Sequence, residues 1–377
     1  MKKIIICVIS ICILLAGCGE KQMATVENTS KKVTENRDEK VNAAKDGKNR
    51  DKEAYYLLTE GKKLVLKNLM NNKVVNKYQL TKKQCANSMI KLDTGYCVRI
   101  YEANRELKNR VIQGVTVDDT PDENEIVKVS MKFFDKKLHE IDTVDVSKLA
   151  EERKNEDLLM MNYAVSPDGS KIAWDIGEYI LCYDRGTKQY TEYNQITKKD
   201  IIATNITFTG NDKLAFYGSE GESGEDTCYG YLNLPNKKVH FFIEKKYEAF
   251  SLNADERYIW LNDGENPKDG KASGKVPVID TKTGKNYIVH LDNIESAKAR
   301  ITKDGKCLIA VSQIEEKSFR VRQYDIESKR ILSEKKYDFS QLVHVDDIIP
   351  INDVKSKSYG IIYGTDKGTK LEVFELK

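Results

Sequence analysis

SPDGSKIAWD, Ser166–Asp175, is the stretch on which the fold turns. Pro167 presets φ for the first corner of a β-turn, Asp168 tolerates the bridge region and Gly169 accepts positive φ, so the chain reverses tightly here. Lys171, Ile172, Ala173 and Trp174 then read as a strand. Worn copies recur at TGNDKLAF (Thr209–Phe216), NADERYIW (Asn253–Trp260) and TKDGKCLIA (Thr302–Ala310). Their aspartates, Asp168, Asp212, Asp255 and Asp304, are spaced by about 44, 43 and 49 residues, inside the range of propeller-blade repeats.

Each copy is followed by a second marker, a strand that closes in a polar turn: CYDRGTKQY (Cys182–Tyr190), LNLPNKKVH (Leu232–His240), VIDTKTGKNY (Val278–Tyr287) and QYDIESKRI (Gln323–Ile331). One unit is therefore strand, turn, strand, loop, strand, turn, strand. These markers, in this order, resemble those of the bacterial TolB-like and WD-repeat-like β-propeller families. The resemblance covers about residues 160 to 337 and implies an all-β fold of four-stranded antiparallel blades around a central axis. It carries no function across, because propellers host unrelated activities.

The ends fit the same frame. Ala54–Leu80 lines up with the second to fourth strands of a blade and Tyr359–Lys377 with the second and third. The first blade then lacks its inner strand and the last its outer one, so the two ends of the chain are expected to close the ring and remove its free edges. From Ala54 onward there is room for roughly seven units of about 45 residues, with six or eight as the alternatives.

The first residues read differently. MKKIIICVISICILLAGC sets Lys2 and Lys3 before an apolar run, Ile4–Ala16, of about 13 residues, shorter than the roughly 20 that span a bilayer. Residues 1–17 are accordingly read as a signal peptide. Leu15-Ala16-Gly17-Cys18 resembles the bacterial lipobox, which implies that Cys18 carries the lipid, palmitate or a related acyl chain, and that the protein is held to the cell membrane on its extracytoplasmic side, at the cell surface or in the periplasm. An ordinary secretory signal with a chance cysteine is the alternative. Residues 18–53 have no aromatic residue and almost no apolar periodicity and read as a disordered tether reaching about 30 Å. The propeller domain is expected over 54–377.

Net charge is +3, and the lysines are scattered rather than clustered, so the footprint of a nucleic-acid-binding protein is missing. Beyond the signal stand Cys85, Cys97, Cys182, Cys228 and Cys307, an odd number without metal-ligand spacing. If Asp93-Thr94-Gly95 is a hairpin turn, Cys97 pairs with Lys91 and Cys85 lies about 20 Å up the strand, too far for a disulfide. These cysteines are expected to be isolated, buried thiols. His139, His240, His290 and His344 are far apart in sequence and no nucleophile elbow or zinc-protease motif occurs, so the chain is read as a non-enzyme without a cofactor. Trp174, Phe216 and Trp260 sit at matching positions and are expected to pack between blades.

Loop length singles out one face. The connection between second and third strands is short in the blade of Trp174 but is expected to run from Gly218 to Gly230 in the next, from Asn262 to Lys275 in the one after, and from Ala103 to Glu125 in an early blade. Long loops on a rigid scaffold are where binding resides. They carry Asp118, Asp119 and Asp122; Glu220, Glu222, Glu225 and Asp226; and Asp263, Glu265 and Asp269. A rim of one sign attracts a partner of the other, so the expected partner is a protein with a basic surface, bound by a monomeric propeller. Ca²⁺ bridging these carboxylates is the weaker variant, since no loop has EF-hand spacing. The functional expectation is a protein-binding or scaffold module of the cell envelope; the alternative is an envelope hydrolase or lyase with an axial active site.

Overall fold

The computed structural model describes residues 54–376 except 109, 113–114, 118, 178, 195–201, 221–225, 246, 250, 263, 267–270, 273, 292–296, 303, 352–356 and 366–367. Seven antiparallel sheets follow one another as blades 1 (55–79), 2 (84–145), 3 (163–193), 4 (202–244), 5 (252–290), 6 (297–338) and 7 (344–375). Blades 2 to 6 have four strands in sequential order, and blades 1 and 7 have three among the described residues. This is the seven-bladed β-propeller expected. The signal peptide, Cys18 and the tether lie outside the described residues.

Local turn chemistry explains the repetition. Asp168 Oδ1 accepts from Ser166 Oγ at 2.7 Å and from Ser170 N at 2.9 Å. Asp255 accepts from the amides of Arg257 and Tyr258, and Asp304 from Thr302 Oγ1 and Lys306 N. Asp168, Asp255 and Asp304 thus supply acceptors to the N–H groups that the tight reversal leaves unpaired. The same turns tie blades together. Asp93 N donates to Pro167 O at 2.8 Å, Asp168 N to Asn211 Oδ1 at 3.1 Å and Thr209 Oγ1 to Asp255 O at 2.7 Å, linking blades 2, 3, 4 and 5 in series. Gly305 is required twice: its φ is +70°, and a Cβ there would stand 1.7 Å from Tyr258 Oη of the preceding blade.

The second marker has its own signature. Its turn holds one residue in left-handed backbone: Lys188, Lys237, Gly284 and Lys329 in blades 3 to 6, Leu138 in blade 2 and Asn72 in blade 1. Asn72 therefore identifies the first described sheet as strands two to four of its blade, as the alignment of Ala54–Leu80 predicts.

Each blade interface encloses one apolar cluster. Six lie between consecutive blades from 1 to 7. The seventh joins Ala54 and Leu69 at the start of the described chain to Ile349 and Ile362 of blade 7, with Leu371 of the last strand against it. The ends of the described chain close the ring by face packing rather than by sharing a sheet. Trp174, Phe216 and Trp260 are buried in three of these clusters, and the Trp260 indole N–H donates to Ala299 O of the next blade at 2.7 Å.

Cys85, Cys97, Cys182, Cys228 and Cys307 are buried thiols, none of them in a disulfide. Cys97 pairs with Ile90 and not with Lys91 as the assumed turn implied, because Leu92 and Gly95 bond to one another and leave a two-residue loop, Asp93-Thr94. Cys85 is opposite Tyr101, and the conclusion about the disulfide is unchanged.

Candidate functional site

Because the blades share one strand order, every connection from second to third strand leaves the same face, together with the crossings between blades. The sequence-predicted acidic residues fall there unevenly. Asp118, Glu222, Glu225, Asp263 and Asp269 lie outside the described residues. Asp119 is only 5% exposed. Its carboxylate takes Arg105 Nη1 at 2.6 Å and the Lys108 amide at 3.0 Å, and the same guanidinium reaches Glu125 through Nε at 2.6 Å and Nη2 at 2.8 Å. Arg105 is thus clamped between two carboxylates, which tie residues 105 and 108 to Asp119 and Glu125 at the far end of the connection. Asp122 is exposed, and its amide donates to Glu125 Oε2 at 3.1 Å.

In blade 4 the expected long loop is corrected. Strands Lys213–Glu220 and Asp226–Asn233 pair out to Glu220 opposite Asp226, so the connection shrinks to 221–225. Gly218, Ser219 and Thr227 look like loop residues by composition but offer no obstacle to pairing. In blade 5, Gly264–Asn266, which contains Glu265, joins Glu248–Ala249 and Lys271–Ala272 in a separate small sheet. The crossing from blade 2 to blade 3 adds a helix, Val146–Arg153, capped by Asp145, and a short 3₁₀ turn, Glu156–Leu159. Against the start of strand Ile126–Asp135 they leave a cleft of about 560 Å³ lined by Val127, Lys128, Ala150, Lys154 and Leu159. Val127 is 57% exposed and neighbouring Met160 40%.

A second site, which sequence reasoning missed, lies on the axis. The first strands of blades 2, 4 and 7, Gln84–Lys91, Ile202–Phe208 and His344–Pro350, each carry a β-bulge, at Asn87, Thr204 and Asp346. A bulge re-aims side chains, and in blade 7 it brings the neighbours Asp346 and Asp347 toward one side of the strand. In blade 6, Lys298 and Arg300 alternate with the buried Ala299 and Ile301 and bond to the carbonyls of Asp346 at 2.7 Å and Ile348 at 2.9 Å. Asp347 feels Arg300, Lys298 and Lys91; Tyr56 feels Asp347 and Asp346; Asp255 feels Arg300. The direct contacts, Lys298 to Asp346 O and Arg300 to Ile348 O, join the inner strands of blades 6 and 7.

Burial dominates their titration. It raises the carboxyls of Asp346, Asp347 and Asp255, and it lowers the Lys91 amine, which Arg300 pushes further down. The Lys91 side chain is exposed at the end of strand Gln84–Lys91. Shifted carboxyls beside a shifted amine are a mark of functional sites. The histidines do not join them as a set: His139 binds Asp135, His240 stacks on Tyr231, and among the described residues no cluster of three metal-ligating side chains occurs.

No family model and no curated protein matches the chain. Solved structures do. Hydrazine synthase of Kuenenia stuttgartiensis superposes with a TM-score of 0.51 at 12% identity, covering 83% of this chain and 89% of that one. The β-propeller domain of the trilobed protease of Pyrococcus furiosus, described as having an open velcro topology, gives 0.49 at 13% identity over 79% and 83%. The acylaminoacyl peptidase of Pyrococcus horikoshii gives 0.48 at 12% over 78% and 45%. At such identity the likeness is one of fold alone; the seven sequential antiparallel sheets of the chain itself define its class as a seven-bladed propeller.

Proposed function

We propose that this chain is an extracytoplasmic propeller, held to a membrane through lipid on Cys18 and the 18–53 tether, that binds a protein partner through the face carrying the second-to-third-strand connections. The observation that carries the reading is asymmetry. The 104–125 connection, the extra small sheet of blade 5 and the 146–162 crossing all elaborate one face, while the marker turns of the other stay short. Val127 and Met160 supply exposed apolar area beside the cleft, and a patch of that kind with a polar rim suits association. Asp122 and Glu123, exposed beside it, favour a partner with basic groups at the rim.

Photo-crosslinking in cells tests the proposal. A crosslinker at 127 or 160 is expected to capture a partner that one at 304, on the opposite face, does not; Val127→Asp with Met160→Asp abolishes capture, and Cys18→Ala moves the protein out of the membrane fraction. Equal capture from 304, or capture indifferent to both substitutions, overturns the choice of face. A second reading, a hydrolase or lyase with an axial active site, draws on the shifted carboxyls of Asp346 and Asp347 and stands or falls on turnover of envelope sugars or peptides.

A further inference from the structure

In blade 2 the fourth strand stops short of the third. Glu140–Asp145 pairs with it only from Ser130 onward, and the chain then turns into the helix Val146–Arg153. Ser147 ends the ladder, its hydroxyl accepting the Val129 N–H at 2.7 Å. Beyond that bond the start of the third strand faces helix and 3₁₀ turn across the cleft of about 560 Å³. Val127 is the extra residue of a β-bulge there, between Ile126 opposite Ala103 and Lys128 opposite Glu102, and it stands 57% exposed in the cleft wall. Ala150 and Leu159 complete the apolar lining. The charges around it do not cancel. Lys128 is held by Asp145 at 2.8 Å and Arg153 by Glu192. Glu151 and Glu156 line the cleft, exposed and without an ion pair among the described residues, against one such cation, Lys154. The helix also presents its C-terminal end here, where its dipole is negative.

We propose that this cleft takes a short peptide segment of the partner, an apolar anchor of leucine or phenylalanine size flanked by lysine or arginine. The inference rests on the reading of this face as a protein-binding one and adds the chemistry of what enters it. The anchor covers Val127, Ala150 and Leu159, and the flanking cations meet Glu151 and Glu156. The volume falls among the roughly 300–1,000 Å³ of sites for small ligands, so it holds a few side chains and not a folded surface. An anionic membrane surface has the wrong sign for this rim, and an acidic peptide is repelled by it.

The test is fluorescence anisotropy of the mature chain with labelled hexapeptides whose two central positions are drawn from Leu, Ile, Phe, Tyr and Trp and whose flanks are Lys or Arg. Controls carry Glu in the flanks or Ser in the centre, and phosphatidylglycerol vesicles stand for the membrane. At least one basic peptide is expected to bind, at least tenfold more tightly than either of its controls, and the vesicles are expected not to displace it. Val127→Ser is expected to weaken binding at least fivefold. Glu151→Lys with Glu156→Lys is expected to turn the preference toward the acidic peptides, which a damaged cleft would not do. The three side chains are exposed, so both variants are expected to melt as the wild type does. Absence of binding by every basic peptide overturns the proposal, as does an acidic control bound as tightly, displacement by the vesicles, or affinity and preference that both variants leave intact. Capture in cells from 127 without binding of any peptide sinks this proposal and leaves the face standing; peptide binding without capture sinks the face as a partner site in cells and leaves the chemistry of the cleft standing.

Discussion

The loop of blade 2 and the axis hold similar groups, an arginine or lysine facing two carboxylates, and arrange them in opposite ways. Around Arg105 the fork is filled: Asp119 and Glu125 each take charge-assisted hydrogen bonds, and a buried carboxylate becomes part of the loop's scaffold. Around Arg300 one N–H is used on a carbonyl and the charges stay apart. A loop can shrink until its charges meet, whereas blades in a closed ring cannot approach one another. The acidic residues counted along the 104–125 connection are therefore poorer evidence of a charged face than their number suggests, and the sparser set on the axis is better evidence of a site.

The comparison presupposes that the ring closes, and the largest expected effect comes from breaking closure. Deleting Thr369–Lys377 removes the last strand of blade 7, Lys370–Glu375, and with it Leu371 from the small cluster that joins blade 7 to Ala54 and Leu69. That cluster has the fewest buried residues of the seven, so it tolerates the least loss. The truncated chain is expected to lose cooperative thermal unfolding, while deletion of Gly19–Lys52 leaves the melting temperature nearly unchanged. A truncated chain that melts like the full one refutes closure by the chain ends.

How much of this could be read beforehand follows from where each feature stores its information. Blade boundaries were legible because turns are local: Asp168 and Gly169, or Asp304 and Gly305, sit within a few residues of the groups they serve. The inter-blade role of Trp174, Phe216 and Trp260 followed from their shared position. The axial cluster was invisible because blades 1, 2, 5, 6 and 7 contribute one or two residues each, from places as far apart as Tyr56 and Asp347, and no spacing connects them. The bulges on the contributing strands of blades 2 and 7 occur at Asn87 and Asp346, without a glycine to mark them. Blade 4 misled for the converse reason, since Gly218 and Ser219 have loop composition and strand pairing.

The difference between filled and open carboxylates extends beyond the two clusters. Arg105→Ala leaves Asp119 buried without its cation and Glu125 without its clamp, and a fall of several degrees in melting temperature is expected, with new protease cleavage between 104 and 125. Asp280 and Asp175 supply a pair of opposite sign. Asp280, buried, is held by Arg257 through Nε at 2.9 Å and Nη2 at 2.5 Å, and that partnership pulls its pKa down to about 2. Asp175, also buried, takes only the Gly177 amide, and burial pushes it up to about 6. Asp280 then contributes stability above its unfolded value of about 4, lost as pH falls through its folded value. Asp175 works the other way: the folded state holds a proton that the unfolded chain has released, so stability declines as pH rises from about 4 to 6 and stays lower above. Asp175→Asn is expected to stabilise the protein at pH 7.5 by about 2 kcal/mol, with the gain gone below about pH 4. Asp280→Asn is expected to destabilise it at pH 7.5 and to converge with wild type in strong acid. Chemical denaturation at both pH values measures the two curves, and a gain from Asp280→Asn at pH 7.5 would reverse the assignment of filled and open sites.

The smallest expected effect separates the two clusters most cleanly. Lys91 ends the first strand of blade 2, partial burial and Arg300 disfavour its charged form, and no described group bonds to its amine. A lysine whose pKa is lowered in the folded state weakens the fold wherever it is protonated, so removing it cannot cost the stability that removing Arg105 costs. Methionine keeps the length and apolar stem of the side chain, which preserves its contacts along Gln84–Lys91. Lys91→Met is therefore expected to change unfolding free energy at pH 7.5 by no more than about 0.5 kcal/mol, toward stabilisation if at all. The comparison with Arg105→Ala should be made in the same buffer at low and high salt, because an exposed pair weakens with ionic strength and an enclosed one does so less. If Lys91→Met lowers the melting point as far as Arg105→Ala does, Lys91 is closing an ion pair with Asp347 after all, and the two clusters are of one kind.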